Sequence, residues 1–234
     1  MRPLENKVAL VTGSSRGIGA AIARAFAAAG ARVAVHGRDA AAAESVRADI
    51  DGAGGHAVPF LADLTRFEAV EAMRLAIEER LGPVEVLVTH AGGNRFAPPG
   101  ALEDIDPAAW QATLDANLTA TFLTVKSFLP GMKSRRTGSI VTLSSAAARH
   151  PSGHSPAPYT AAKAGIQLLT QILAVQAGPF GIRANCIAPG TIPTPLDVAS
   201  AALFLACEQS SWITGTVLDI AGGSVMRRPG DTTS

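Results

Sequence analysis

The chain has 234 residues, 47% of them hydrophobic, with 20 basic and 19 acidic side chains and a formal net charge of +1. That length and apolar content suit one domain with a sizeable core, and the balanced charge, without a basic stripe or a charge block, argues against a nucleic-acid partner and a disordered tail. No apolar run of about 18 residues suggests a membrane span, and the opening MRPLENKVAL, with Arg2, Glu5 and Lys7, does not read as a signal peptide. Cys186 and Cys207 lie in apolar surroundings and read as buried thiols of a reducing compartment, so a cytoplasmic location is expected.

Short β-branched runs alternate with longer Ala/Leu-rich segments. The strand candidates are Val8–Thr12, Arg32–His36, His56–Leu61, Val84–His90, Ser139–Ser144, Arg183–Ile187 and Thr216–Ile220. Helical patterns fall between them at Gly17–Ala29, Ala40–Ile50, Arg66–Leu81, Pro107–Met132, Pro158–Ala177 and Pro195–Cys207. This alternation predicts βαβ units and a parallel sheet, and the continuous apolar runs KVALVT, VEVLVT and GSIVTL predict strands covered on both faces. Right-handed crossovers then give an α/β fold: a single doubly wound Rossmann domain over residues 1–223, a seven-stranded parallel sheet flanked by helices, followed by a polar tail at 224–234. The Pro107–Met132 segment is long enough for about seven helical turns. In Pro158–Ala177, Ala162, Ile166, Leu169 and Leu173 form a stripe at helical spacing. Wide apolar helix faces of this kind also suit subunit packing, so a homo-oligomer, dimer or tetramer, is expected.

The first strand runs into Gly13-Ser14-Ser15-Arg16-Gly17-Ile18-Gly19 and a helix. Glycines let backbone N–H groups approach a pyrophosphate, and the helix N-terminus adds partial positive charge. The spacing is G-x-x-x-G-x-G rather than the common G-x-G-x-x-G, but its place in the first strand–turn–helix points to a nucleotide. The second strand ends His36-Gly37-Arg38-Asp39. Gly37 stands at the position where a carboxylate would take the ribose hydroxyls of NAD, and Arg38 follows it. An arginine there accommodates a 2′-phosphate, with Arg16 as a second guanidinium, so NADP(H) is favoured over NAD(H). Asp39 competes for the acidic role but reads better as the N-cap of the next helix.

Tyr159 is the only tyrosine in the chain, and Lys163 lies four residues later. On a helix starting near Pro158 the two share a face, one turn apart. A phenol with a pKa of roughly 10 is poorly matched to neutral pH, and a neighbouring cation lowers it toward the range useful to a general acid or base.

With these motifs in order, the chain from Lys7 to Gly223 resembles the short-chain dehydrogenase/reductase family, especially its β-ketoacyl carrier-protein reductase-like members. The segment Thr12–Gly19 is similar to the family's cofactor loop, Asp63-Leu64 to its adenine-contacting pair, and Ala91-Gly92 to its backbone wall after the fourth strand. Pro189-Gly190-Thr191-Ile192-Pro193-Thr194 is similar to its nicotinamide-side loop. The resemblance implies that Asn117, Ser145, Tyr159 and Lys163 are catalytic. Tyr159 would exchange the proton of the reacting oxygen and Ser145, rather than the adjacent Ser144, would hydrogen-bond that oxygen. Lys163 would bind the nicotinamide ribose and lower the tyrosine pKa, and Asn117 would hold a water relaying protons to Lys163. Cofactor contacts would come from Gly13, Ser15, Arg16, Gly17, Ile18, Gly19, Arg38, Asp63, Leu64, Ala91, Gly92, Tyr159, Lys163, Pro189, Gly190, Ile192 and Thr194. The partner would be a small-molecule carbonyl or alcohol substrate.

The chain departs from the family pattern twice. Thr89-His90-Ala91-Gly92 stands where two asparagines usually precede Ala-Gly, and His90 reads as a local hydrogen-bonding residue. His150 and His154, in a Pro/Gly/Ser-rich loop without metal-ligand spacing, read as solvated or substrate-rim residues, and no metal is expected. Second, the nicotinamide-side loop runs almost directly into the last helix, so the family's substrate lid looks deleted. The pocket is then expected to be open, lined by residues 93–99 and 146–158, with Phe96, Pro98 and Pro99 as apolar walls and Arg95 near an anionic group. The leading expectation is an NADP(H)-dependent ketone/secondary-alcohol oxidoreductase. The rival readings are a cofactor-binding sensor or assembly subunit with little turnover, motivated by the short lid, and an NAD-dependent dehydrogenase of the same family.

Overall fold

The computed structural model describes residues 2–94, 100–151 and 155–223. Arg95, Phe96, Pro98, Pro99, His154 and the tail at 224–234 lie outside the described residues. Seven strands, β1 (Val8–Val11), β2 (Arg32–Gly37), β3 (His56–Leu61), β4 (Val86–Thr89), β5 (Gly138–Leu143), β6 (Ile182–Pro189) and β7 (Val217–Ile220), form one sheet in the order β3-β2-β1-β4-β5-β6-β7. Every pairing is parallel. The order reverses between β1 and β4, and the crevice above the carboxyl ends of those strands is where open α/β sheets take ligands.

Strand alternation divides the core in two. Ala9, Val11, Val33, Val35, Val86 and Val88 face helices α1 (Gly17–Ala28), α2 (Ala40–Gly52) and α7 (Pro195–Ala206), meeting Ile22, Phe26, Val46 and Leu205. Val8, Leu10, Ala34, Leu87 and Ile140 face α3 (Phe67–Leu81), α5 (Ala120–Arg135) and α6 (Ala157–Ala177), meeting Met73, Ile77, Phe128, Met132 and Leu173. Both sheet faces are covered, which is why the strand sequences are apolar throughout instead of alternating. Cys186 and Cys207 are both buried free thiols. Among the described residues no helix is long and apolar enough to cross a membrane.

The segment expected as one helix from Pro107 to Met132 is built differently. It comprises α4 (Pro107–Leu114), a π-turn at Asp115–Thr119, and α5, which continues past Met132 to Arg135. It ends on Arg136 in the left-handed region, φ 55°. Wide π-turns occur mostly where a side chain is diverted to other work. Here Asn117 is fully buried and bonds outside the helix. Asp39 is the N-cap of α2, accepting from the Ala42 N–H at 3.1 Å.

Between β6 and α7 lie only residues 190–194. They end in a capping box: the Thr194 hydroxyl oxygen accepts from the Leu196 N–H at 3.2 Å, and Asp197 accepts from the Thr194 N–H at 2.9 Å. The short connection therefore closes directly onto a well-capped helix.

Candidate active site

The ends of β1, β2, β3 and β4 open into one cleft, whose lining includes Gly13, Ser15, Arg16, Arg38, Asp63, Leu64, Ala91 and Gly92. These eight residues were separated by up to about eighty positions in the sequence, and strand order alone brings them together. Gly13 has φ +67°, and a Cβ there would lie 2.9 Å from the Ala91 Cα. Glycine is thus needed for both conformation and space. Gly17 has φ +55° and opens α1, whose N-terminus has no side-chain cap and no acidic residue in its first turn. The donors of that helix end are left for an anion. Ile18 packs on the core, while Gly19 allows the end of β4 to approach: a Cβ there would be 2.8 Å from His90 Nδ1.

A Cβ on Gly37 would stand 2.9 Å from both Cβ and Oγ of Ser15, so the position beside the ribose pocket has no room for a carboxylate side chain. Arg16 and Arg38 are exposed at the cleft, and among the described residues neither makes an ion pair. Asp63 is tied locally, accepting from the N–H and hydroxyl of Thr65 at 3.0 and 2.7 Å. Those bonds, with the charges of Arg38 and Arg66, hold its carboxyl below the usual range.

His36 and His90 also line the cleft. His90 Nδ1 is buried without a hydrogen-bond partner among the described residues. The His90 ring also meets the backbone of Gly13 and Thr12, in keeping with the local hydrogen-bonding role expected of it. Burial, with the Lys163 charge, lowers its pKa to about 4, so the ring is neutral at physiological pH. His36 was missed as a site residue. The available signal was a lone imidazole closing the otherwise apolar run RVAVHG, at the carboxyl end of a strand.

At the far end, β5 leads into Ser144 and Ser145. Ser144 is buried and committed to α6: its hydroxyl donates to the Lys163 carbonyl at 2.7 Å and accepts from Gln167 Nε2 at 2.9 Å. Ser145 caps the turn Ala146–Ala148, accepting from the Ala147 N–H at 3.2 Å, and its side chain hydrogen-bonds Tyr159. Lys163 is buried, with Nζ 5.6 Å from the Tyr159 ring centroid. It donates to the Leu143 carbonyl at 2.8 Å. Pro189 and Gly190 close this end. The Gly190 N–H donates to the Ile220 carbonyl at 2.9 Å, and a Cβ on Gly190 would be 3.4 Å from the Ala146 Cβ. Ile192 packs into the α1/α7 core, and the Thr194 side chain is used as the α7 cap. His150 is exposed, its N–H bonded to the Ala146 carbonyl.

One expectation is corrected here. The Tyr159 phenol is not lowered: burial pushes it above its ordinary value, only partly opposed by Ser145. The dominant effect is desolvation of the phenolate, and Lys163 is itself buried, which lowers its pKa to about 8. The Asn117 side chain is bonded to protein at both of its polar atoms. Its Nδ2 donates to the carbonyls of Gly93 and Thr113 at 3.0 and 2.9 Å, and its Oδ1 accepts from the Gly93 N–H at 3.0 Å. Asn117 thus clamps the Gly92-Gly93 wall to the π-turn. That turn packs tightly on α6, where a Cβ on Gly165 would meet Leu118 Cδ2 at 2.9 Å.

A doubly wound sheet with a glycine-lined cleft at its switch point, and a Ser/Tyr/Lys cluster at one end, defines a dinucleotide-type α/β protein. The chain belongs to the short-chain dehydrogenase family, whose model matches residues 7–202, and members of this family are oxidoreductases of alcohol and ketone groups. It is 36% identical over 248 aligned positions to a hydroxy(phenyl)methylsuccinyl-CoA dehydrogenase subunit from Thauera aromatica, covering 94% of this chain and 97% of that protein. That alignment is longer than the 234-residue chain, so the relative has residues with no counterpart here. Among solved structures, a 3-oxoacyl-acyl-carrier-protein reductase with bound NAD from Brucella melitensis superposes with TM-score 0.90 at 33% identity, covering 97% of this chain and 94% of that one. A gluconate 5-dehydrogenase from Burkholderia cenocepacia in complex with NADP and tartrate superposes with TM-score 0.89 at 27% identity, covering 96% and 97%.

Proposed function

We propose that this chain is an NADP(H)-dependent oxidoreductase that interconverts a ketone and a secondary alcohol, with Tyr159 as general acid/base. The observation that carries the reading is the cluster at the end of β5: a Tyr159 phenol bonded to Ser145, above the buried Lys163. A bound nicotinamide dinucleotide supplies the hydride. The residues fit such a group: glycines that tolerate no Cβ and an uncapped α1 N-terminus suit a pyrophosphate. Two guanidiniums at the cleft, without ion pairs among the described residues, suit a 2′-phosphate.

In reduction, Tyr159 gives its proton to the substrate oxygen, and in oxidation it takes that proton back. Its raised pKa keeps it in the protonated form, the form that donates in reduction. Ser145 hydrogen-bonds the reacting oxygen and stabilises charge as it develops. Lys163 keeps one donor on Leu143 and has others for ribose hydroxyls. Asn117 holds the Gly92-Gly93 wall in place. The five-residue link from β6 to α7 leaves no room for a helical lid, so the substrate side is open and suited to bulky substrates.

The test is a titration with NADPH beside NADH, followed by a panel of ketones and secondary alcohols with the tighter cofactor. NADPH binding tighter by about tenfold or more, with turnover of at least one carbonyl, is the expected result. Tight binding without turnover across the panel would instead support a sensor.

We also infer a homo-oligomer. Leu168, Ile172 and Val175 lie at i, i+4 and i+7 on the outer face of α6 and are 60%, 47% and 77% exposed, and Phe122 of α5 is 46% exposed. This second stripe is separate from the core stripe of Ile166 and Leu173. Such an apolar patch on paired helices suits burial against a copy of itself. Sedimentation at micromolar concentration is expected to give a dimer or tetramer, and a Leu168→Glu, Val175→Glu double variant is expected to sediment as monomer.

A further inference from the structure

We infer that His36 is a positioning residue for the dinucleotide, joining the phosphate loop to the adenine side of the cleft through a bidentate imidazole bridge. The inference rests on the cofactor reading above, and it concerns a residue outside the glycine motif. The Gly13 N–H donates to His36 Nδ1 at 3.0 Å, and His36 Nε2 lies 3.1 Å from the Ala62 carbonyl. Gly13 begins the loop after β1, and Ala62 precedes Asp63 after β3. One ring thus links the ends of three neighbouring strands.

The backbone around the ring is equally fixed. The His36 N–H donates to Ser14 Oγ at 2.9 Å, the Ser14 N–H donates to the His36 carbonyl at 2.8 Å, and Ser14 Oγ donates to the Val11 carbonyl at 2.6 Å. His36 itself is 3% exposed.

The two ring contacts assign the tautomer. A backbone N–H can only donate, so Nδ1 is the acceptor. A carbonyl can only accept, so Nε2 carries the hydrogen. Protonation would place a second donor on Nδ1, facing the Gly13 N–H, and the bond would be lost. Gly13 has little room on its Ala91 side, where an added Cβ would lie 2.9 Å from the Ala91 Cα. The bridge therefore exists only with a neutral ring. Burial, opposed by the Ala62 hydrogen bond and aided by the Arg38 charge, holds His36 below the ordinary imidazole value of 6.5. The sign follows: the bridge is intact above 6.5 and is lost as pH falls through the lowered value.

The groups around the ring leave that titration isolated. Arg38 just after its own strand and Arg16 on the loop also face the cleft, Asp63 after β3 is held below the usual carboxylate range, and His90 after β4 titrates at about 4. A 2′-phosphate titrates near 6, so the comparison must be between variants with the same cofactor at the same pH.

The experiment measures dinucleotide Kd by fluorescence from about pH 7.5 to about pH 5 for wild type, His36→Asn and His36→Gln. The asparagine amide oxygen takes the place of Nδ1 and keeps the Gly13 bond at every pH. The glutamine amide nitrogen takes the place of Nε2 and leaves the Gly13 N–H unpaired. Wild type is expected to weaken by about tenfold on acidification beyond the change seen in His36→Asn, one hydrogen bond being about one such factor. His36→Asn is expected within about threefold of wild type at the upper pH, and His36→Gln about tenfold weaker there. In the chain alone, Gly13 amide exchange, corrected for its intrinsic pH dependence, should accelerate on acidification in wild type but not in His36→Asn.

Equal affinity of the glutamine and asparagine variants, or an acid limb unchanged in His36→Asn, would overturn the inference. If His36→Gln does not fold, the wild-type and His36→Asn profiles decide the matter. Wild type that binds neither NADPH nor NADH would sink the cofactor reading itself, whereas normal binding with unmoved variants would sink only the role of His36.

Discussion

Replacing Tyr159 with Phe is expected to lower kcat for ketone reduction by about three orders of magnitude while leaving cofactor Kd within about threefold. The ring and its packing against Lys163 survive the change; only the hydroxyl that donates the proton and meets Ser145 is removed. A loss confined to KM would mean that the phenol binds substrate without transferring a proton. Because Tyr159 is the only tyrosine, nitration of the wild-type chain modifies that phenol alone and is an independent check. The pH profile adds a signed expectation. Tyr159 keeps its proton through neutrality because burial raises its pKa, and Lys163 is a cation only below about 8. The kcat/KM for cofactor in the reductive direction should therefore hold steady below that value and decline above it, as Lys163 loses the charge that attracts the dinucleotide. A profile rising through that region would mean that the lysine acts as a base.

Replacing Arg38 with Glu is expected to weaken NADPH by about two orders of magnitude and to leave NADH within about twofold. A guanidinium–phosphate contact is charge-assisted, and reversing its sign adds repulsion to its loss. Arg38 can be changed without disturbing the fold because it is exposed and its guanidinium makes no ion pair among the described residues. Equal losses for both cofactors would place Arg38 on the shared pyrophosphate or adenine, and no loss for either would mean that it makes no cofactor contact. Restoring an acidic residue at Gly37 is a poorer route to NAD preference. Its Cβ would stand 2.9 Å from Ser15 atoms and would push on the phosphate loop.

Much of the architecture was legible in the sequence because its signals are local. Apolar runs such as KVALVT announce strands covered on both faces, and the alternation with helices dictates a parallel sheet with right-handed crossovers. The glycines at 13, 17 and 19, the Asp39 cap and the contrast between Ser144 and Ser145 are also local. The first depends on backbone conformation, the second on hydrogen bonds within one turn, and the third on strand alternation.

Three features were decided only in three dimensions. Periodicity predicted an unbroken helix through Asn117. The π-turn there accommodates a fully buried amide that bonds the backbone of Gly93, 24 residues away, which no helical pattern encodes. A lysine one turn from a tyrosine suggested a lowered phenol pKa. The sign reversed because the cost of desolvating a charge depends on everything packed around it, whereas sequence spacing reports only the neighbour. His36 drew no attention beside the glycine motif, since its partners Gly13 and Ala62 lie on two other strands. Residue types and short spacings in the chain determined the family and the chemistry available to it. The tertiary structure decided which donors and acceptors those groups meet, because hydrogen bonding and desolvation depend on distances that strand order creates.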